Sequence, residues 1–127
     1  MSQKNKIIEF QILNQEIQNL QQQLQNIDNS IQELHILKNG LEELESVKEE
    51  NEILIPLGQG IFTKGNIKNK NELITNIGSN IMVEKNLKET RDMVKKNIVE
   101  LSMALEKTQE EINKNVEKIQ ELQKELE

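Results

Sequence analysis

Apolar side chains fall at Phe10, Leu13, Ile17, Leu20, Leu24, Ile27, Ile31 and Leu34, in alternating steps of three and four residues. That spacing is an a/d heptad seam and predicts a coiled-coil helix over residues 6–50. The polar face is rich in Gln and Asn, as in Gln21-Gln22-Gln23. Leu20 and Leu24 carry the register through that tract, which argues for helix over low complexity. After Leu34 the next apolar positions are Leu37, Leu41 and Leu44, so a four-residue step becomes a three-residue one. A slip of this kind overwinds a supercoil. Gly40 lies inside it and costs about 1 kcal/mol relative to Ala in a helix interior. A bend or weak point is therefore expected near Asn39-Gly40.

A second helix is expected over residues 84–127. One seam row is Ile98, Leu105, Ile112, Ile119 and Leu126, at strict sevens; the other is Leu87, Val94, Leu101, Thr108, Asn115 and Leu122. Thr108 and Asn115 are polar seam positions. Either they fix register and partner choice at some expense of stability, or they sit in a loosely packed stretch and face water.

Between the helices the period changes. Glu52-Ile-Leu-Ile-Pro-Leu-Gly58 is short, rich in β-branched residues and ends in Gly, and Ile61 to Lys68 alternates, with Ile61, Thr63 and Ile67 on one face. Glu72 to Ile77 and Ile81 to Glu84 are two further strand-like runs. Gly58-Gln59-Gly60, Asn69-Lys70-Asn71 and Gly78-Ser79-Asn80 separate them, and Gly and Asn tolerate the positive φ that tight turns need. Residues 52–84 thus read as two β-hairpins. Pro56 has no N–H for a ladder, so its strand is an edge or bulges there.

The expected fold class is mainly α: a long antiparallel two-helix coiled coil joined by two β-hairpins. Residues 8–48 and 86–126 are equal spans, each about 60 Å at 1.5 Å per residue, and neither arm can bury its seam alone. Isolated hairpins are marginal in water and their edges invite pairing with other chains. The pattern therefore predicts an oligomer built through Ile53, Ile55, Leu57, Ile61, Phe62, Ile67, Leu73, Ile74, Ile77, Ile81 and Val83.

Composition supports this picture. Aromatics are 2% of 127 residues, Phe10 and Phe62 only, against 30% charged, which suits amphipathic helices better than an aromatic-rich core. With no cysteine, disulfides and thiolate metal sites are excluded. No apolar run approaches the roughly 18 residues of a membrane span. Met1 to Phe10 has lysines and no apolar h-region, so a secretory leader is not expected, and a cytoplasmic location is. The net charge is -6. Residues 53–83 carry three basic and one acidic side chain, and both flanks are net acidic. No basic stripe offers itself to phosphates, which argues against a nucleic-acid partner. The helices also lack the basic polar face of a membrane-surface protein.

The run Glu52-Ile-Leu-Ile-Pro-Leu-Gly-Gln-Gly-Ile-Phe-Thr-Lys-Gly-Asn-Ile67 resembles the first hairpin of α-type prefoldin subunits. Ile77-Gly-Ser-Asn-Ile-Met-Val-Glu-Lys85 is similar to the end of their second hairpin and the start of the returning helix. The resemblance covers the whole chain and implies a single prefoldin-like domain over residues 1–127. It further implies a hexamer of two α-type and four β-type subunits, whose hairpins form a double β-barrel platform. The implied function is that of a molecular chaperone, working without ATP. Distal coil ends hold unfolded polypeptides and deliver them to a group II chaperonin. The alternative is a structural coiled-coil scaffold or tether with one defined partner.

The client-binding candidates at the coil ends are Ile7, Ile8, Phe10, Ile12, Leu13, Ile119, Leu122 and Leu126. Ile7, Ile8 and Ile12 exceed what a two-stranded seam can hide, and apolar groups rimmed by polar ones mark an interaction surface. No enzyme is expected. His35, the single histidine, reads as a solvated helix position, since a general base needs an oriented partner and a pocket. Gly58-Gln59-Gly60 lacks the spacing and Lys of a P-loop. Glu42-Glu43, Glu45 and Glu49-Glu50 lack the loop and turn glycine of a Ca²⁺ site. Met82, Met93 and Met103 read as packing residues. No cofactor and no metal are expected.

Overall fold

A computed structural model describes residues 3–126 of the chain; Glu127, at the end of the second expected helix, lies outside them. The element order is α1 (Gln3–Ser46), β1 (Glu52–Gly58), β2 (Ile61–Asn66), β3 (Leu73–Asn76), β4 (Met82–Lys85) and α2 (Leu87–Leu126). The fold is mainly helical, with two small antiparallel hairpins, β1–β2 and β3–β4, each a separate two-stranded sheet. By packing the chain forms two compact units. The first joins α1 up to Glu33 with α2 from Ile98; the second is Leu34–Asn97.

In the first unit α1 and α2 run antiparallel. Leu13, Ile119 and Leu122 form a buried cluster, with Phe10 and Ile17 packed against it. Lys6 Nζ meets Glu125 Oε2 at 3.2 Å. Each fully buried apolar side chain of this kind contributes about 1.5–3 kcal/mol. The polar seam positions are resolved in favour of packing, since Thr108 and Asn115 are both buried. The Asn115 amide donates from Nδ2 to Glu16 Oε2 at 3.3 Å. The Gln/Asn face is helical and self-supporting. Gln15 donates to Asn19, Gln22 to Asn26 and Gln25 to Asn29, each across one helical turn, where such pairs add a few tenths of a kcal/mol.

In the second unit the expected register slip at Leu37 does not occur. Leu37 is 45% exposed and Ile36 73%, whereas Lys38 is half-buried and Leu41 is buried. Leu34, Lys38 and Leu41 therefore continue the four-three alternation, with a lysine in the seam. Its methylene stem can cover apolar surface while the ammonium reaches water. The helix runs unbroken through Asn39 and Gly40, and a Cβ at Gly40 would meet nothing within 4 Å.

Both helix boundaries differ from expectation. α1 ends at Ser46, four residues before Glu50. The Ser46 hydroxyl donates to the Glu43 carbonyl at 2.8 Å, and Lys48 to Asn51 close a turn. α2 begins at Leu87, after Glu84. The reason is the cap: Asn86 Oδ1 accepts from the Glu89 backbone N–H at 2.7 Å, so Asn86 satisfies an otherwise unpaired donor and starts the helix.

The four expected strands are present, with the second shortened to Ile61–Asn66, the third to Leu73–Asn76 and the fourth moved to Met82–Lys85, so that Ile67, Ile77 and Ile81 fall outside them. The β1–β2 register pairs Pro56 with Phe62 and Gly58 with Ile61, leaving Leu57 as a bulge next to the proline. Gln59 and Gly60 both take positive φ, the two-residue turn whose twist suits a hairpin. In the second hairpin Ser79 and Asn80 do the same, and the Ile81 N–H donates to the Gly78 carbonyl at 2.9 Å.

Candidate functional site

Two surfaces, one in each unit, hold the residues singled out from the sequence. The first is where α1 begins and α2 ends. Its eight candidates separate into three groups. Leu13, Ile119 and Leu122 are buried in the cluster described above, and Phe10 and Leu126 are half-buried. Ile7, Ile8 and Ile12 are 47%, 46% and 54% exposed. Ile7, Phe10, Gln123 and Leu126 line a cleft of about 370 Å³. Ile8 and Ile12, four residues apart on one helix face, stand outside it. The heptad forces this division. It assigns Phe10 and Leu13 to the seam, and Ile8 and Ile12, each two residues from Phe10, must then point outward.

The second surface is the pair of hairpins. In β1, alternate residues face opposite ways, and the cross-strand pairs assign them partners. Leu54 pairs with Lys64 and Pro56 with Phe62 on one face, while Ile53 pairs with Gly65 and Ile55 with Thr63 on the other. Lys64 and Glu52 form an ion pair at 3.6 Å on the Leu54 face. A Cβ at Gly65 would come within 2.8 Å of Ile55 Cδ1, so the end of that exposed side chain would have to move aside. In the second hairpin Ile74 and Met82 lie on one face and Leu73, Thr75 and Val83 on the other. Leu54, Ile55, Leu57, Ile61 and Phe62 are exposed, as are Ile74, Ile77, Ile81, Met82 and Val83; Ile53, Ile67 and Leu73 are half-buried. So much exposed apolar surface on two small sheets is far more than a self-sufficient unit leaves in water, and makes the hairpins a candidate assembly face.

Leu54 and Met82 were missed by the sequence reading. A signal existed: Ile53-Leu54-Ile55 is apolar at consecutive positions, the mark of a strand covered on both faces. Within the same unit two contacts between distant segments tie the hairpin region to α1 and α2 to α1. The Lys70 ammonium donates to the carbonyls of Glu45 at 2.7 Å and Val47 at 3.3 Å, the positions where a helix C-terminus accumulates unpaired acceptors. Arg91 forms an ion pair with Glu45. No local pattern announces either contact, since the partners are far apart in sequence. His35 is exposed on α1. Among the described residues no group of three or more His, Cys, Asp or Glu is placed to hold a metal ion. No described helix is long and apolar enough to cross a membrane.

Paired helices joined by two hairpins with open apolar faces define a subunit-type coiled-coil protein, built to be completed by other chains. The family model described as "Prefoldin subunit" matches residues 13–127, and the chain belongs to that family. It is a family of non-enzymatic chaperone subunits that assemble with other prefoldin subunits. Among solved structures, a chain of the filamentous PFD from Methanocaldococcus jannaschii superposes with a TM-score of 0.77. The match covers 96% of this chain and 98% of that one at 19% identity, and shows the shared fold. Among curated proteins, no sequence matches.

Proposed function

We propose that this chain is an α-type prefoldin subunit that holds unfolded polypeptides without ATP and delivers them to a group II chaperonin. The observation that carries the reading is the presence of two hairpins, each with exposed apolar residues on both faces. The α type differs from the β type in having the second hairpin. In this reading residues 1–127 act as one prefoldin-like domain in the cytoplasm. Residues Ile53 to Val83 build a β-barrel platform, in a hexamer with β-type subunits in a ratio of two to four. Ile7, Ile8, Phe10 and Ile12 contact clients, together with Leu126 at the cleft. Leu13, Ile119 and Leu122 hold the helix pair beneath them. A few exposed aliphatic side chains per subunit give weak contacts, which several subunits acting on one client multiply through avidity.

The filamentous state of the similar archaeal chain supports a second assembly, in which copies of this chain alone join through both hairpins. Size measurement of the chain with and without β-type partners separates the two.

The functional test is light scattering from a denatured model protein diluted into buffer with the assembled complex. Suppression at near-stoichiometric amounts without nucleotide, lost in Ile7→Ser/Ile8→Ser/Ile12→Ser, is expected. A complete complex that suppresses nothing, yet binds one folded protein tightly, would establish the scaffold or tether instead.

A further inference from the structure

Away from the helix ends, the first unit carries a groove between α1 and α2 of about 570 Å³. Half-buried Leu24 and Leu105 line it, and the small side chain of Ser102 leaves room above them. Its acidic groups are Asp28, Glu106 and Glu110, and no Lys or Arg lines it. Asp28 Oδ2 accepts from Gln32 Nε2 at 3.0 Å. Glu106 and Glu110 take part in no ion pair among the described residues. The neighbouring groove, of about 380 Å³, has no such imbalance, because Lys114 and Lys118 accompany Glu16 and Glu111 there.

We propose that the Leu24–Leu105 groove binds a basic amphipathic segment of a partner polypeptide. An aliphatic side chain of the segment seats on Leu24 and Leu105, and flanking Lys or Arg side chains pair with Asp28, Glu106 and Glu110. The apolar lining gives the site its affinity for the stem of such a segment. The uncompensated carboxylates select its charge, since unlike charges across an interface favour one partner and like charges exclude another. This surface is separate from the helix-end residues assigned above to unfolded clients, so either assignment can fail without the other.

The test uses the full chain and a fluorescent peptide of Lys and Leu in amphipathic helical spacing, with a second peptide in which Glu replaces every Lys. Fluorescence anisotropy is expected to show saturable binding of the Lys peptide, weakened by added salt, and none of the Glu peptide. Asp28→Asn/Glu106→Gln/Glu110→Gln is expected to weaken binding roughly ten-fold. Glu9→Gln/Glu117→Gln/Glu121→Gln removes the same charge elsewhere and leaves affinity within about two-fold. Circular dichroism confirms that both variants keep their helices. Equal losses in the two variants, equal binding of the two peptides, or no binding of the Lys peptide would each overturn the proposal.

Discussion

The ammonium of Lys70, in the loop between the hairpins, donates to the carbonyl oxygen of Glu45 at 2.7 Å. With its second bond to Val47, it caps the last turn of α1 from a residue 25 positions further along the chain. A helix end leaves four carbonyls without partners, and a cation there is favoured by the dipole. Lys70→Met is expected to lower the unfolding free energy by about 1 kcal/mol, with Lys70→Arg retaining most of it. Denaturant melts of the two variants check this, and equal midpoints for wild type and Lys70→Met would remove the cap from the account.

Asn115 is, with Thr108, a buried polar seam residue, and it is joined to Glu16. Asn115→Leu is expected to raise the thermal midpoint, since a well-packed apolar residue at a seam position stabilises more than a buried amide. Glu16 is exposed and can return to water. The substitution is also expected to loosen specificity, visible as additional oligomeric species by light scattering. A lower midpoint would show that the amide contributes more than its burial costs.

Gly40 lies in an unbroken helix with open space where a Cβ would stand. Gly40→Ala is expected to stabilise by about 0.5–1 kcal/mol. A destabilised Gly40→Ala protein would point to a conformation at this position that the helix geometry does not show.

Leu13 and Ile8 are five residues apart and differ in burial: Leu13 is 6% exposed, Ile8 46%. Leu13→Ala is expected to cost about 2–5 kcal/mol, as other core truncations do, whereas Ile8→Ser should change stability by less than about 0.5 kcal/mol. Suppression of client aggregation is expected to weaken in Ile8→Ser. Two thermal melts and one scattering assay separate the structural residue from the contact residue.

On the hairpins, Leu54→Ser and Phe62→Ser remove exposed side chains from one face of the first sheet. Weaker assembly is the expected outcome, seen as a shift to smaller species in size-exclusion chromatography, with helix content retained. Unchanged size for both would move the assembly face to the opposite side, where Ile53 and Ile55 lie.

Much of this architecture is written locally. The three-four alternation from Phe10 to Leu34, the turn residues Gln59-Gly60 and Ser79-Asn80, and the bulge beside Pro56 each depend on side chains a few residues apart. Such patterns are legible one window at a time. The start of α2 was legible too, since Asn86 and Glu89 have the spacing of a capping box, but the apolar run before them reads as a continuous approach to the helix. The candidate client residues were legible as apolar positions, while their division into buried Leu13 and exposed Ile8 and Ile12 required the seam to be placed.

What only tertiary structure decided are the choices between equivalent local patterns and the contacts between distant ones. Leu37 and Lys38 are adjacent, and hydropathy favours the leucine for the seam. Continuing the heptad favours the lysine, because a coiled helix keeps one face toward its partner; consecutive three-residue steps come only later, from Lys38 through Leu41 to half-buried Leu44. Lys70 on Glu45, Asn115 on Glu16 and the paired apolar faces of the hairpins arise from chain segments brought together by folding. Sequence alone determined which elements exist and which side chains are apolar; packing determined which of those side chains are covered and which remain for a partner.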